Sequence, residues 1–329
     1  MIRLALGAVR DTSVEMLRYA VQLGYEQVVV NTPRDLPGVD RWTVADLGAM
    51  KERVEAHGLQ IAAIENTPMS FYADAMTNGP KAAQQIGNYK QTIEAIGEIG
   101  VPILGFHWMA NDVWRSNLAL KGRGGVRLTE FDYSKLDDPD RLTHGRAYGR
   151  EEMWTYFRNF MDEVLPVAES SGVRLALHPD DPPVDELGGI PRLFSSHQRI
   201  RDVVDTYGGN PAFGLEFCLG TVSEMSEGAD QLLFEMIKRN AVAYIHFRDV
   251  QGHVPQFHES FLGEGNLNIV AVLRTLQDLG FKGFLIDDHV PLLDGDPEIV
   301  PGYVNSPYAF RGRAYTNGYL QGMVKALSS

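Results

Sequence analysis

Short apolar or β-branched runs alternate along the chain with longer stretches in which apolar residues return every three or four positions. The first pattern fits buried strands and the second amphipathic helices. Eight such pairs follow one another from end to end. Strands are predicted over residues 3–7, 27–31, 60–65, 102–107, 174–178, 213–218, 242–247 and 283–287. Each is followed by a helix, with starts near Ser13, Thr43, Ile86, Glu151, Ser196, Ala229, Asn268 and Ala309. Ser, Thr or Asn at several of these starts offers an oxygen to the unpaired N–H groups of the first turn. Gly24, Gly58, Gly100, Gly172, Gly208 and Gly280 stand where a left-handed residue would release each helix into the next strand.

Strict alternation of strand and helix predicts a parallel sheet, and eight units favour an α/β fold closed as a (β/α)8 barrel over an open doubly wound sheet. No linker or low-complexity stretch divides the chain, so one barrel domain is expected over residues 1–329. Two connections are long, a loop insertion at about residues 108–150 after the fourth strand and residues 179–195 after the fifth. Both belong on the C-terminal mouth of a barrel, where long loops usually bind or cover ligands. The segment Lys121-Gly122-Arg123-Gly124-Gly125-Val126-Arg127 reads as a solvated turn, with a cationic flap as the alternative.

With 44% hydrophobic and 22% charged residues, the 329-residue chain has ample material for one large core. Its net charge of −13 argues against a nucleic-acid partner, whose phosphates require clustered Lys and Arg. The first residues lack a basic segment followed by an apolar run, and no stretch approaches about 18 consecutive apolar residues. A cytoplasmic protein without membrane contact is expected, and assembly into a homo-oligomer is left open. The single cysteine, Cys218, excludes an intrachain disulfide and suits a reducing compartment.

Candidate chemistry gathers at the strand ends. His107, His178, Cys218, His246 and Asp288 fall at or just after the ends of predicted strands four to eight, one per strand. Adjacent parallel strands lie about 4.8 Å apart, so residues distant in sequence converge at the mouth. Imidazole, thiolate and carboxylate together suit a divalent transition ion. Taken singly, each of these residues also fits a hydrogen-bonded or packed role, and the joint pattern is what points to a metal. The two-residue period of a strand adds neighbours on the same face: Asp180 with His178, Glu216 with Cys218, Arg248 with His246. A carboxylate beside a ligand can orient it, and a guanidinium beside a metal is either a fork for a substrate carboxylate or one half of an ion pair with Asp249 or another local acid.

At these residues the chain resembles the mannonate dehydratase family, within the xylose isomerase-like barrels. Leu177-His178-Pro179-Asp180-Asp181-Pro182-Pro183 is similar to that family's His-Pro-Asp-Asp-Pro-Pro signature and is the most specific match. Gly214-Leu215-Glu216-Phe217-Cys218-Leu219-Gly220-Thr221 resembles its cysteine segment, Ile245-His246-Phe247-Arg248-Asp249-Val250 its second histidine segment, and Phe257-His258-Glu259-Ser260 its His-Glu segment. Asp288-His289 and Pro301-Gly302-Tyr303 follow in the family's order. The chain departs from the family where Val290-Pro291 stands in place of Gly-Arg and Asp287 in place of Pro, and it is shorter than a typical member.

The resemblance implies a hydro-lyase that removes water from D-mannonate to give 2-keto-3-deoxy-gluconate. It implies one divalent metal, Mn2+ or Fe2+, held by His178, Cys218, His246 and Asp288, with His289 and Tyr303 as proton-transfer groups. Arg248 and His258 are expected at the acid end of the sugar acid, with Asp180, His107 and Glu216 close by. Three alternatives stay open: a metal-dependent sugar isomerase or epimerase, a metal-dependent hydrolase or nuclease, and a catalytically silent sugar-acid binding barrel. The hydrolase fits least well, because a cysteine occupies one strand end.

Overall fold

A strand buried on both faces needs a sheet covered on both sides, and eight of the apolar runs pair in parallel into one closed barrel. The computed structural model describes residues 2–296 and 308–328. In chain order the strands are β1 (Arg3–Val9), β2 (Gln27–Asn31), β3 (Gln60–Glu65), β4 (Ile103–Phe106), β5 (Asn117–Lys121), β6 (Arg127–Asp132) and β7 (Arg174–Leu177). They continue as β8 (Glu186–Leu187), β9 (Ile190–Pro191), β10 (Phe213–Cys218), β11 (Val242–His246), β12 (Val250–His253), β13 (Gln256–Glu259) and β14 (Phe284–Ile286). Around the barrel the order is β1, β14, β11, β10, β7, β4, β3, β2, so the (β/α)8 barrel expected from the alternation is present.

The helices are α1 (Val14–Gln22), α2 (Val44–Glu55), α3 (Ala73–Thr77), α4 (Ala82–Glu98), α5 (Arg150–Ser170), α6 (His197–Tyr207), α7 (Leu219–Met225), α8 (Ala229–Lys238), α9 (Ile269–Asp278) and α10 (Phe310–Ser328). Side chains of Ser13, Thr43, Ser196 and Asn268 accept from backbone N–H groups at the starts of α1, α2, α6 and α9, as their residue types predict. Gly24, Gly58, Gly100, Gly172 and Gly280 have positive φ after their helices. Gly208 differs: its φ is −64°, and its N–H still bonds the Val204 carbonyl at 2.8 Å, so α6 is released by the turn beyond it. Among the described residues no helix is long and apolar enough to cross a membrane.

Small side chains fill the lumen: Ala5, Ala63, Ala176 and Ala243, with Tyr244 stacked on Phe284 at 5.1 Å. The larger apolar residues lie outside the barrel, where Phe157 and Phe160 of α5 pack against Trp108. A fully buried Phe gains roughly 1.5–3 kcal/mol from leaving water, so this outer layer, and not the lumen, carries most of the apolar stabilisation. The seam between first and last barrel strands is locked by Asp287. Its Oδ1 accepts from Gly7 N at 2.8 Å and its Oδ2 from Nε of Arg313 on α10 at 2.8 Å. A Cβ on Gly7 would overlap the Asp287 carbonyl, which is why the closest approach falls at glycine.

The insertion after β4 is more ordered than a loop. Its segments Asn-Leu-Ala-Leu-Lys and Arg-Leu-Thr-Glu-Phe-Asp form the antiparallel hairpin β5–β6, and residues 121–127 hold its turn. A second hairpin, β12–β13, rises from the connection after β11, and β13 pairs with β6 through Phe257↔Phe131 and His258↔Glu130. The resulting four-stranded sheet joins two distant insertions and stands beside the C-terminal mouth.

Candidate metal centre and active site

Four strand ends deliver four donors to one place. Cys218 is the last residue of β10, His246 the last of β11, His178 follows β7, and Asp288 lies two residues beyond β14. Donor atoms of His178, Cys218 and His246 lie within 4.8 Å of one another. Oδ2 of Asp288 is 3.7 Å from the Cys218 sulfur and 3.4 Å from Nδ1 of His246. Two nitrogens and one sulfur thus face a common point, and a carboxylate oxygen from the fourth strand end stands beside the sulfur and one of the nitrogens.

The hydrogen bonds around the imidazoles decide which nitrogens are available. Nδ1 of His178 lies 2.6 Å from the Pro179 carbonyl, so it donates there and Nε2 is the nitrogen left for a metal once its own proton is displaced. Nε2 of His246 lies 3.0 Å from Oε2 of Glu65 and 3.0 Å from Oε1 of Glu216. Its Nδ1 is buried, and among the described residues its charged neighbour is the Asp288 carboxylate, at 3.4 Å. Burial opposes a charge on this imidazole, but Glu65, Asp288 and Glu216 outweigh it and hold it well above the ordinary histidine range, so without metal a proton on Nδ1 faces Asp288 in the place a divalent ion would take. Carboxylates behind a ligating histidine fix its tautomer and raise its basicity. The donor set therefore fits a divalent metal.

The local field also favours ligand forms. Burial opposes ionisation of Cys218, but the Arg248 guanidinium and the neighbouring His178 and His246 outweigh it and hold the thiol down to about 5. Burial likewise opposes ionisation of Asp288, yet His289, His246 and Arg248 hold its carboxyl well below the usual range. His178 is raised to about 9, because Cys218 and Glu216 overcome the penalty of burial. Protons on these histidines balance the thiolate and carboxylate, and metal binding displaces such protons.

Above the donors opens a cavity of about 650 Å³ whose wall includes His107, His178, His246, Asp288 and His289. A second cavity, of about 710 Å³, opens at the opposite end among strand starts such as Arg3, Gln60 and Arg174. The larger volume is not the site, since none of the candidate ligands reaches it and barrel chemistry belongs to the C-terminal face.

The remaining residues singled out in the sequence are distributed unevenly. His107 lines the cavity, accepts from Met109 N at 3.2 Å and is driven down to about 4 by burial, so it is neutral. Glu216 lies in the lumen, one layer below, with Oε2 accepting from the Tyr244 hydroxyl at 2.5 Å. Gly105 makes this possible, because a Cβ there would overlap the Glu216 carboxylate. Asp180 turns away from the cavity to accept from Phe194 N at 2.6 Å, and His258 on β13 turns Nδ1 to the Glu259 carbonyl at 2.9 Å. Neither belongs to the cavity wall. Tyr303 lies outside the described residues.

Arg248 reaches the cavity with both terminal nitrogens engaged. Nη1 donates to Glu224 and Glu259 at 2.8 Å each, and Nη2 to Thr221 at 2.8 Å and Asp181 at 3.1 Å. Nε stands 3.0 Å from Oδ2 of Asp288. Of the two roles open to Arg248, the structure shows the ion pair, and its partners are these four acids; Asp249 instead accepts from backbone N–H groups of Val250, Gly263, Gly265 and Leu267.

Several wall residues escaped the sequence reading. Arg10 and Arg34 enter from the loops after β1 and β2, and Arg115 from the insertion. Arg115 grips Asp181 with both terminal nitrogens, at 2.6 and 2.7 Å. The Tyr308 hydroxyl lies 3.3 Å from Oδ1 of Asp288, and its ring stands 5.7 Å from that of His289. Glu65 was the one within reach, because it ends β3 as the other candidates end their strands.

The family model described as D-mannonate dehydratase (UxuA) matches residues 7–148 and 140–329. The mannonate dehydratase of Streptococcus equi subsp. zooepidemicus (strain MGCS10565) is 27% identical over 327 residues, covering 91% of this chain and 88% of that protein. Mannonate dehydratase 2 of Halalkalibacterium halodurans is 28% identical over 343 residues, covering 95% and 96%. The crystal structure of mannonate dehydratase from Streptococcus suis serotype 2 superposes with a TM-score of 0.86 at 25% identity, covering 99% of this chain and 95% of that one. An L-ribulose 3-epimerase superposes at a TM-score of 0.61 with 13% identity, a likeness of fold alone.

Proposed function

Because the chain belongs to the D-mannonate dehydratase family, we propose that it is a metal-dependent hydro-lyase converting D-mannonate to 2-keto-3-deoxy-gluconate at the mouth of its barrel. The observation that carries this reading is the convergence of donor atoms of His178, Cys218 and His246, with Oδ2 of Asp288 3.7 Å from the sulfur and 3.4 Å from Nδ1 of His246. These four residues would hold one divalent ion, Mn2+ or Fe2+. A mixed nitrogen, sulfur and oxygen set also accepts other first-row ions, so loading follows availability.

Dehydration of an aldonic acid removes a weakly acidic proton from the carbon beside the carboxylate and expels the hydroxyl on the next carbon. When bound, the divalent ion supplies Lewis acidity that offsets the negative charge developing on substrate oxygens. The chain's own residues supply the rest. His289, half-buried in the cavity wall beside Asp288, is placed to exchange one proton with the substrate. Tyr303 is assigned the second proton on the family resemblance. Arg10, which stands over the Tyr308 ring, and Arg34 also line the cavity and bring positive charge for the acid end of the substrate.

The same proposal takes residues 1–329 as one barrel domain working in the cytoplasm, where the lone buried Cys218 stays reduced. Protein loaded with Mn2+ or Fe2+ and offered a panel of sugar acids and sugars is expected to dehydrate D-mannonate, read as the 2-keto-3-deoxy acid formed. Turnover of ketoses by epimerisation without loss of water, or no turnover on any acid, would overturn the reading.

A further inference from the structure

Glu259 belongs neither to the donor set nor to the cavity wall, yet it touches the machinery at three points. It lies on β13, its carboxylate buried, and Oε1 accepts from Nδ1 of His289 at 2.8 Å and from Nη1 of Arg248 at 2.8 Å. Nη2 of Arg115 stands 3.6 Å from the same oxygen. Among the described residues Oε2 has no hydrogen-bond partner, and the polar contacts of this buried anion with them are made through the oxygen that His289 uses.

We propose that Glu259 is a positioning residue for His289: it holds the proton on Nδ1 and so leaves Nε2 as the nitrogen that meets substrate. The inference rests on the reading of His289 as a proton-transfer group. An imidazole has two equivalent-looking nitrogens, and which one carries the proton is set by the bond the other makes. Here the acceptor is a carboxylate, and Nε2 lies on the side of Asp288, 3.9 Å from its Oδ1.

The sheet built from the two insertions thereby acquires a task. Glu259 ends β13, adjacent to His258, which pairs with Glu130 of β6, and Val250↔Glu259 ties it to β12. Arg115, just before β5, comes from the same sheet's other hairpin and anchors Asp181, which also receives Arg248. Arg248 and Arg115 thus hold the carboxylate from the barrel side and the insertion side, and the carboxylate holds His289. The insertions place the acceptor; the barrel places the imidazole.

Two conservative variants separate position from charge. In Glu259→Gln the amide oxygen stays at the Oε1 place, because Arg248 Nη1 donates there and repels an NH2 group, so the acceptor is kept while the charge is lost. In Glu259→Asp the charge is kept but the acceptor retreats by roughly the 1.5 Å of a carbon–carbon bond. With kcat and KM on D-mannonate, and bound metal, measured for both and for His289→Asn, the account expects undiminished metal, near-normal KM, and a kcat that falls further in Glu259→Asp than in Glu259→Gln. Glu259→Asp should approach the loss in His289→Asn, of order 10² or more. Full kcat per bound metal in Glu259→Asp beside an inactive His289→Asn overturns the positioning role and leaves the His289 reading standing. A kcat lower in Glu259→Gln than in Glu259→Asp overturns it too, in favour of charge alone. Full activity in His289→Asn removes the reading on which the inference rests.

Discussion

The sulfur of Cys218 stands 3.7 Å from Oδ2 of Asp288, bringing an acidified thiol and a carboxylate from β10 and the end of β14 to the same point. Two anions placed so close are stable only with positive charge between or beside them. Arg248 and the histidines provide it in part, and a divalent ion provides the remainder.

Removing metal should therefore loosen the mouth of the barrel. Loading the chelator-treated protein at 100 times the dissociation constant is expected to raise the unfolding free energy by about 2.7 kcal/mol. Thermal unfolding with and without Mn2+ checks this, and a melting temperature indifferent to metal would count against a site in the folded state.

The carboxylates behind His246 should matter for metal without touching it. Gly105→Ala would drive a Cβ into Glu216 and to 2.7 Å from the Tyr244 hydroxyl, in a lumen with no room to yield. Overpacking of this kind costs about 1–3 kcal/mol. Displacing Glu216 from Nε2 of His246 should further weaken metal binding by roughly 10- to 100-fold. Urea denaturation reads the first effect and metal titration the second; unchanged affinity would separate Glu216 from the metal site.

Arg248 and Arg10 should respond in opposite ways to replacement by Lys. Arg248 is buried and supports Asp181, Glu224, Glu259 and Asp288, so Arg248→Lys leaves several acceptors unpaired and should lower stability by about 3 kcal/mol or more. Arg10→Lys keeps the charge beside the Tyr308 ring, where the guanidinium carbon stands 5.0 Å from the ring centroid, and should raise KM for D-mannonate about 10-fold with kcat little changed, as expected when a charged hydrogen bond of uniform binding is lost. Melting curves and steady-state kinetics on both variants test the division. A KM effect confined to Arg248→Lys would return that residue to the substrate.

The barrel was legible because its two hydrophobic periods are distinct. The predicted strands 27–31, 60–65 and 213–218 coincide with β2, β3 and β10. The donor positions were legible for a related reason, since a strand end in a parallel barrel has a known address. Less legible were contacts depending on long-range pairing. Nothing in the spacing of Glu259 says that β13 will pair with β6, and that pairing sets the carboxylate beside His289. Arg248 shows the same limit from the other side. Its place next to His246 was readable, but whether it faces substrate or acids depends on Asp181, Glu224 and Glu259, which arrive from three other segments. The hairpin β5–β6 falls where the sequence predicts a loop, because its two short strands lie outside the barrel rhythm and find their partners in each other and in β13.

The central claim is that four strand ends hold one metal and that His289 acts on the substrate beside it. Bound metal and D-mannonate dehydration measured together on wild type, Cys218→Ser and His289→Asn test it most directly. The account predicts metal and activity lost together in Cys218→Ser. In His289→Asn it predicts full metal content with turnover reduced by about 10² to 10⁴-fold. Full metal retention in Cys218→Ser, or equal metal loss in the two variants, would contradict it.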